Sequence, residues 1–253
     1  MEIRFLGTGT STGVPQIGCN CATCTSTDAR DKRLRASAIV TLDSGHNILI
    51  DCGPDFRSQI LAAGSPALEA LLITHSHYDH TGGIDDLRPY CKGGRHFPTY
   101  CAADVAHDLR QRNPWSFAKH LYPGVPTFAI TEIQPGIPFS IAEQHILPVE
   151  IMHGQLPILG FRFGNRLAYI TDCKTMPDQT IATIEGVDTL IINALRTEPH
   201  PTHMSLSESL QIIERLHPKQ TFLIHMSHDM GPQAHVALPP NVRLAYDGLT
   251  VAL

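Results

Sequence analysis

The run Leu72-Ile73-Thr74-His75-Ser76-His77-Tyr78-Asp79-His80 sets three imidazoles and a carboxylate within six residues, directly after an apolar, strand-like stretch. In extended chain His75 and His77 point to the same side, while Asp79 and His80 turn toward a second position as the strand breaks into a loop. One short segment can therefore serve two metal positions, because neutral imidazole and carboxylate suit the same borderline cations. The bland reading is a loop of solvated histidines in a chain that has 15 of them. Against it stands the rest of the chain, which supplies what a pair of coordination spheres still lacks.

Three later residues close mostly apolar runs: His153 after Leu147-Pro148-Val149-Glu150-Ile151-Met152, Asp172 after Leu167-Ala168-Tyr169-Ile170-Thr171, and His225 after Thr221-Phe222-Leu223-Ile224. A lone histidine after a strand is usually structural; a repeated apolar run ending in a ligand type is a pattern. It predicts a first site of His75, His77 and His153 and a second of Asp79, His80 and His225, with Asp172 shared between them.

Cys19, Cys21 and Cys24 form a separate cluster. Three thiols in six residues are too close for ordinary mutual disulfides and naturally converge on one soft cation, although a free-thiol or redox-sensing loop uses the same residues. Cys52, Cys91, Cys101 and Cys173 are scattered, and the odd total of seven does not make a secreted disulfide framework. The Gly-rich opening Gly7-Thr8-Gly9-Thr10-Ser11-Thr12-Gly13 lacks the lysine of a P-loop and the spacing of a dinucleotide fingerprint, so it reads as a tight loop after the first strand.

With 253 residues, 42% hydrophobic and 17% charged, residues 1–253 can bury a core as one large domain or two merged halves. The start Met1-Glu2-Ile3-Arg4-Phe5 has no signal-peptide pattern and no run approaches membrane-spanning length, which predicts a cytoplasmic protein without membrane contact. A net charge of −5 and dispersed Lys and Arg disfavour long nucleic acid as a partner.

Apolar patterning predicts strands at 2–6, 36–42, 46–51, 68–74, 97–101, 127–133, 145–152, 158–163, 166–171, 187–193, 220–225 and 242–246. It predicts helices at 55–63, 82–91, 102–112, 177–185 and 205–217. The last has a capping-box spacing, Ser205 to Glu208, and apolar residues at helical intervals. Residues 113–126, rich in proline and aromatics, read as a long loop over the site edge.

The metal motifs, in this order along nearly the whole chain, resemble those of the metallo-β-lactamase superfamily. The opening Phe5-Leu6-Gly7-Thr8-Gly9 with the cysteine cluster is similar to the phosphodiesterase branch that holds the phosphoribosyl cyclic phosphate phosphodiesterases and, more distantly, the tRNA 3′-end processing nucleases. The resemblance implies an α/β fold, a four-layer αβ/βα sandwich of two mixed sheets flanked by helices. It implies two divalent ions in the active site, zinc or manganese, with iron also suited to the donors, and a structural zinc on Cys19, Cys21, Cys24 and His228. It assigns His203 to substrate contact or general acid work, with His200 as the local competitor, and Asp51 to holding the histidine loop. Asp79 would combine metal binding with steering of the nucleophile.

The expected function is hydrolysis of a small cyclic phosphodiester such as phosphoribosyl 1,2-cyclic phosphate, by a hydroxide bridging the two metals, in a chain that the family resemblance implies forms a homodimer. Lys174, Arg196, Arg88 and Lys92 are candidate substrate cations, each equally readable as surface charge. Two alternatives stand beside this: a tRNA 3′-end nuclease, which would ordinarily carry an inserted basic arm that this chain lacks, and a non-hydrolytic metal-binding or iron redox protein on the same fold.

Overall fold

The computed structural model describes residues 1–253. Its strands are β1 (Glu2–Gly7), β2 (Ser37–Thr41), β3 (Asn47–Ile50), β4 (Ala70–Leu72), β5 (Phe97–Cys101), β6 (Phe128–Glu132) and β7 (Phe139–Ile141), then β8 (Gln144–His153), β9 (Leu156–Phe163), β10 (Leu167–Tyr169), β11 (Thr189–Asn193), β12 (Gln220–Ile224), β13 (Val242–Leu244) and β14 (Thr250–Ala252). They form two seven-stranded sheets, ordered β14-β1-β2-β3-β4-β5-β6 and β13-β12-β11-β10-β9-β8-β7. Helices α1 (Phe56–Ala62), α2 (Tyr78–Thr81), α3 (Ala103–Arg112), α4 (Asp178–Ile184) and α5 (Leu206–Leu216) lie between strands.

Side-chain alternation explains the layers. Ile48 and Ile50 of β3 and Ile191 of β11 enter a core between the two sheets, together with Phe5, Phe161 and Phe222. The intervening Leu49 instead packs outward with Phe56 and Ile60 of α1 and Val105 and Leu109 of α3. Leu190 and Ile192 likewise face Ile181 of α4 and Ile213 of α5. Strands buried on both faces must be continuously apolar, which is how these read, and each fully buried Ile or Leu contributes about 1.5–3 kcal/mol. The resulting order is helix, sheet, sheet, helix, the sandwich expected from the sequence.

The sheets repeat one pattern. From β14 to β3 neighbouring strands pair antiparallel, and from β3 to β6 parallel; from β7 to β10 they pair antiparallel, and from β10 to β13 parallel. Strands β3 and β10 are thus equivalent, and each is followed by an Asp-Cys pair, Asp51-Cys52 and Asp172-Cys173.

Each expected strand has a counterpart, while β7 and β14, three residues each, had not been expected. The helix expected at 82–91 is instead a 3₁₀ winding over Ile84–Gly94, broken at Lys92 and Gly93. Pro89 removes a backbone donor there and Gly93 turns left-handed at φ 71°, so a regular α-helix cannot run through. Residues 113–126 form a loop with one 3₁₀ turn, Pro114–Ser116. No helix is long and apolar enough to cross a membrane.

Candidate dinuclear metal centre

The candidate ligands gather at the carboxyl ends of the strands, where backbone ladders stop and side chains are free to converge. His75 follows β4, His153 ends β8, Asp172 follows β10 and His225 follows β12. The one-turn helix α2 presents Asp79 and His80, both buried. Asp51, Asp172 and His225 all adopt left-handed backbone, at φ 59°, 56° and 56°. Such conformations cost roughly 1–2 kcal/mol for a non-glycine residue and concentrate at functional sites.

Ligand atoms of Asp79, His80, Asp172 and His225 lie within 4.8 Å of one another, as do those of His153, Asp172 and His203. Asp172 belongs to both groups. Its Oδ2 is 3.2 Å from His80 Nε2 and its Oδ1 is 3.1 Å from His225 Nε2. His75 and His77 lie just outside these tight groups, their rings 4.6 Å apart and 5.7 and 5.1 Å from the ring of His153.

Neighbours fix the rings. His80 Nδ1 is 2.7 Å from Asp51 Oδ2, and Asp51 also accepts from the Thr74 amide at 2.9 Å and from its hydroxyl. His75 Nδ1 meets Thr74 Oγ1 at 3.0 Å, and His153 Nδ1 donates to the Thr202 carbonyl at 3.0 Å. The Asn193 amide holds the turn after Asp172, bonding both the N–H and the carbonyl of Cys173. Gly53 is required by close approach: a Cβ there would sit 2.0 Å from the Asp79 carbonyl.

The donor set fits divalent cations. His75 Nε2 and His203 Nδ1 are buried with no hydrogen-bond partner, an expensive state for a polar atom unless something else takes the lone pair. Electrostatics agree. Burial opposes charging of His80, but Asp172, Asp51 and Asp79 outweigh it and raise its pKa well above the usual histidine range. Burial likewise opposes ionisation of Asp172, and the His225 and His80 charges outweigh it, holding that carboxyl well below the usual range. A proton on His80 thus does what a cation can do better, and metal binding to such a cluster displaces protons. His203 differs: burial, then the His225 charge, pushes it down to about 3, so it is neutral at pH 7.

The second cluster is separate. Cys19 Sγ and Cys21 Sγ each lie 3.3 Å from His228 Nδ1, and Cys24 completes the group. The Cys24 amide, then His228, lowers the Cys21 thiol to about 6, which favours the thiolate that binds soft cations. Thr23 Oγ1 bonds the His228 carbonyl at 2.8 Å. Arg33, fully buried, reaches Asp31, the Ser227 carbonyl and the Gly231 carbonyl from the same side. Nothing in the sequence singled out Thr74, Thr202, Asn193 or Arg33, since partners such as Asp51 for Thr74, His153 for Thr202, Cys173 for Asn193 and Ser227 for Arg33 are brought near only by the fold.

Of the other expected cations, Arg88 is paired with Asp85 at 2.6 Å and Lys174 with Glu208 at 2.6 Å. His200 stands beside His203, ring centroids 5.2 Å apart.

Two facing mixed sheets with a histidine and aspartate cluster at their carboxyl ends define the metallo-β-lactamase fold. Residues 46–226 match the β-lactamase superfamily domain, so the chain belongs to that superfamily. A crystal structure of a diphosphatase from the PhnP family superposes with a TM-score of 0.91 at 37% identity, covering 100% of this chain and 97% of the other. This places the chain in the PhnP family. An octanoyltransferase of Porphyromonas gingivalis is 42% identical over 98% of this chain, which spans 51% of that protein's length. Coenzyme PQQ synthesis protein B of Methylorubrum populi is 28% identical over 76% of this chain and 72% of its own.

Proposed function

We propose that residues 1–253 form a hydrolase domain with a dinuclear metal centre that cleaves a small cyclic phosphodiester, with phosphoribosyl 1,2-cyclic phosphate as the best-fitting example. The observation that carries this reading is Asp172, which belongs to both ligand groups: its Oδ2 lies 3.2 Å from His80 Nε2, and its Oδ1 lies 3.1 Å from His225 Nε2 and 3.7 Å from His203 Nδ1. His75, His77, His153 and Asp172 would hold one ion, and Asp79, His80, His225 and Asp172 the other. Zinc or manganese suits this donor set, and iron does as well. Bound there, such ions would supply Lewis acidity, lowering the pKa of water and offsetting charge on phosphoryl oxygens.

The chain's own residues do the rest. Asp51 and the Thr202 carbonyl fix the His80 and His153 tautomers, leaving each Nε2 free to bind. Neutral His203 offers an N–H to the oxygen that leaves phosphorus, and its burial keeps competing water away. Cys19, Cys21, Cys24 and His228 would hold a structural zinc that staples the N-terminal loop to the turn after His225. Hydrolysis of a phosphoanhydride is the second reading, favoured by the PhnP-family structure described as a diphosphatase.

The test is elemental analysis of untagged protein with turnover of bis(p-nitrophenyl) phosphate, for wild type and Asp172→Ala. About three metals per chain, with diesterase activity and bound metal lost together in the variant, is the expected result. Full metal loading without turnover of any diester or diphosphate would overturn the hydrolase reading and favour a binding or redox role.

A further inference from the structure

The ring of His203 is held by stacking and not by a hydrogen bond at Nδ1. That atom is buried without a hydrogen-bond partner, 3.7 Å from Asp172 Oδ1, and the ring packs on those of His153 and His225 at centroid distances of 4.6 and 5.0 Å. The backbone on either side therefore sets where the ring sits. On the N-terminal side the Thr202 carbonyl accepts from His153 Nδ1 at 3.0 Å. On the C-terminal side Met204 N donates to the carbonyl of Cys173, the residue after Asp172, at 2.9 Å, and Ser205 caps α5.

Lys174 joins these pieces. Its N–H donates to the carbonyl of Met152, one residue before His153, at 2.7 Å, and its Nζ donates to Glu208 Oε1 at 2.6 Å. Glu208 Oε2 accepts from the Ser205 amide at 2.7 Å and from the Ser205 hydroxyl at 2.9 Å. The end of β8, the turn after β10 and the start of α5 are thus tied together, and these segments carry His153, Asp172 and His203. The Lys174 side chain is 21% exposed and that of Glu208 36%. Ion pairs this open to water add little to stability. A charge-assisted bond does fix distance and direction, and a small displacement of a group beside the reacting atoms costs much more in rate than in folding. The Met204–Cys173 bond and the Lys174–Glu208 pair close a ring of contacts next to His203, so loss of the pair frees residues 202–205 to shift against the Asp172 turn.

We infer that Lys174 and Glu208 are positioning residues, which hold His203 where it donates a hydrogen bond to the oxygen departing from phosphorus. The inference rests on the proposed diesterase reading for what His203 does. In that hydrolysis the P–O bond breaks with its electron pair on the departing oxygen, which ends by taking a proton from water. A hydrogen bond to that oxygen matters for an alkoxide such as a ribose oxygen, which leaves poorly, and little for p-nitrophenolate, which leaves unaided. Lys174 therefore serves the reaction without touching the substrate.

The test is a double-mutant cycle on metal-loaded protein with two diesters, adenosine 2′,3′-cyclic phosphate and bis(p-nitrophenyl) phosphate. His203→Ala should slow the cyclic phosphate by about 100-fold or more. Lys174→Met should slow it by about tenfold and bis(p-nitrophenyl) phosphate by about twofold at most. Glu208→Gln, which keeps an acceptor for Ser205 and loses the charge facing Lys174, should do the same and serves if the methionine variant misfolds. In the His203→Ala background neither substitution should slow the cyclic phosphate further. Equal slowing of both diesters, or slowing that persists without His203, would overturn the inference and leave the pair a structural contact. Carbethoxylation of His203 by diethyl pyrocarbonate, read by mass spectrometry, needs no turnover. It should run at least about threefold faster in both variants, with the exposed His120 unchanged as the internal standard. Unchanged labelling of His203 would also overturn the inference. A wild type that turns over neither diester, with His203 labelled faster in both variants, sinks the diesterase reading and leaves the positioning role standing.

Discussion

Asp51 and Asp172 show how little a residue's local sequence says about its role. Each ends an apolar strand, precedes a cysteine, is buried and turns left-handed, yet only Asp172 faces two histidines across the site while Asp51 binds the outer nitrogen of His80. The ligand types were legible in the sequence because apolar runs ended in them; the difference between a ligand and a residue that orients one came only from the family resemblance, which assigned Asp51 to holding the histidine loop, since it lies in which ring nitrogen is met. Asp51→Ala should lower metal affinity by about 10–100-fold while leaving all proposed ligands in place, measured by competition with a chelating dye. Unchanged affinity would remove Asp51 from the site. Asp247 offers a prediction away from the metals. It accepts from Thr8 Oγ1 at 2.8 Å and Leu34 N at 2.7 Å, and burial pushes its carboxyl up to about 7. A folded-state pKa above the unfolded value means the folded chain binds more protons, so this group's contribution is fully present below about 4 and is lost as pH rises through 7. In urea unfolding of metal-saturated protein, wild type should therefore lose stability relative to Asp247→Asn between pH 5 and 8.5. A difference that does not vary with pH would show that Asp247 does not titrate there.

At the scale of elements, long and strongly patterned segments were readable and short ones were not. Helix α5 was visible from its cap and its apolar spacing, and both halves of the capping box form: Ser205 accepts from the Glu208 amide, and Glu208 accepts from the Ser205 amide at 2.7 Å. Strands β7 and β14 were invisible because three residues carry no period, and the winding over Ile84–Gly94 was misread because helical spacing of apolar residues says nothing about a missing donor at Pro89. Ser205→Ala should cost about 1 kcal/mol of stability in chemical denaturation, the usual loss for an N-cap. Because Glu208 also holds Lys174, a loss well under half of that would mean the cap is redundant with the ion pair. The cysteine loop makes a sharper case: its residues were legible as a cluster, but nothing local showed that His228, some 200 positions away, sits among them. Cys24→Ser should release one metal per chain and open the segment around Gln16–Asp31 to limited proteolysis, with the active-site ions retained. Protection equal to wild type would mean that backbone contacts such as Gly9 to Met226, not a metal, hold the loop.

Across the whole molecule, the proposed active-site ions join the two sheets. The proposed ligands His75, His77, Asp79 and His80 leave the first sheet after β4, and His153, Asp172 and His225 leave the second after β8, β10 and β12. The sheets already share a core of Phe5, Ile50, Phe161 and Phe222, so metal is not needed to bring them together. In the proposed site it would balance carboxylates and imidazoles packed at the core's open end, in backbone that is strained at Asp172 and His225. Binding only to the folded chain stabilises it by about 4 kcal/mol when free metal stands at 1,000 times its dissociation constant. In a domain of this size each kcal/mol moves the melting temperature by about 2–4 °C. Chelation of the two active-site ions should therefore lower the melting temperature by roughly 10 °C or more, while far-ultraviolet circular dichroism at 25 °C stays native. Asp172→Ala should show most of that loss before any chelator is added, and Cys24→Ser should keep it, because the two clusters share no residue and their effects should add. A chelator that unfolds the chain outright at 25 °C would mean that the ions, and not the apolar layer between the sheets, set the global stability.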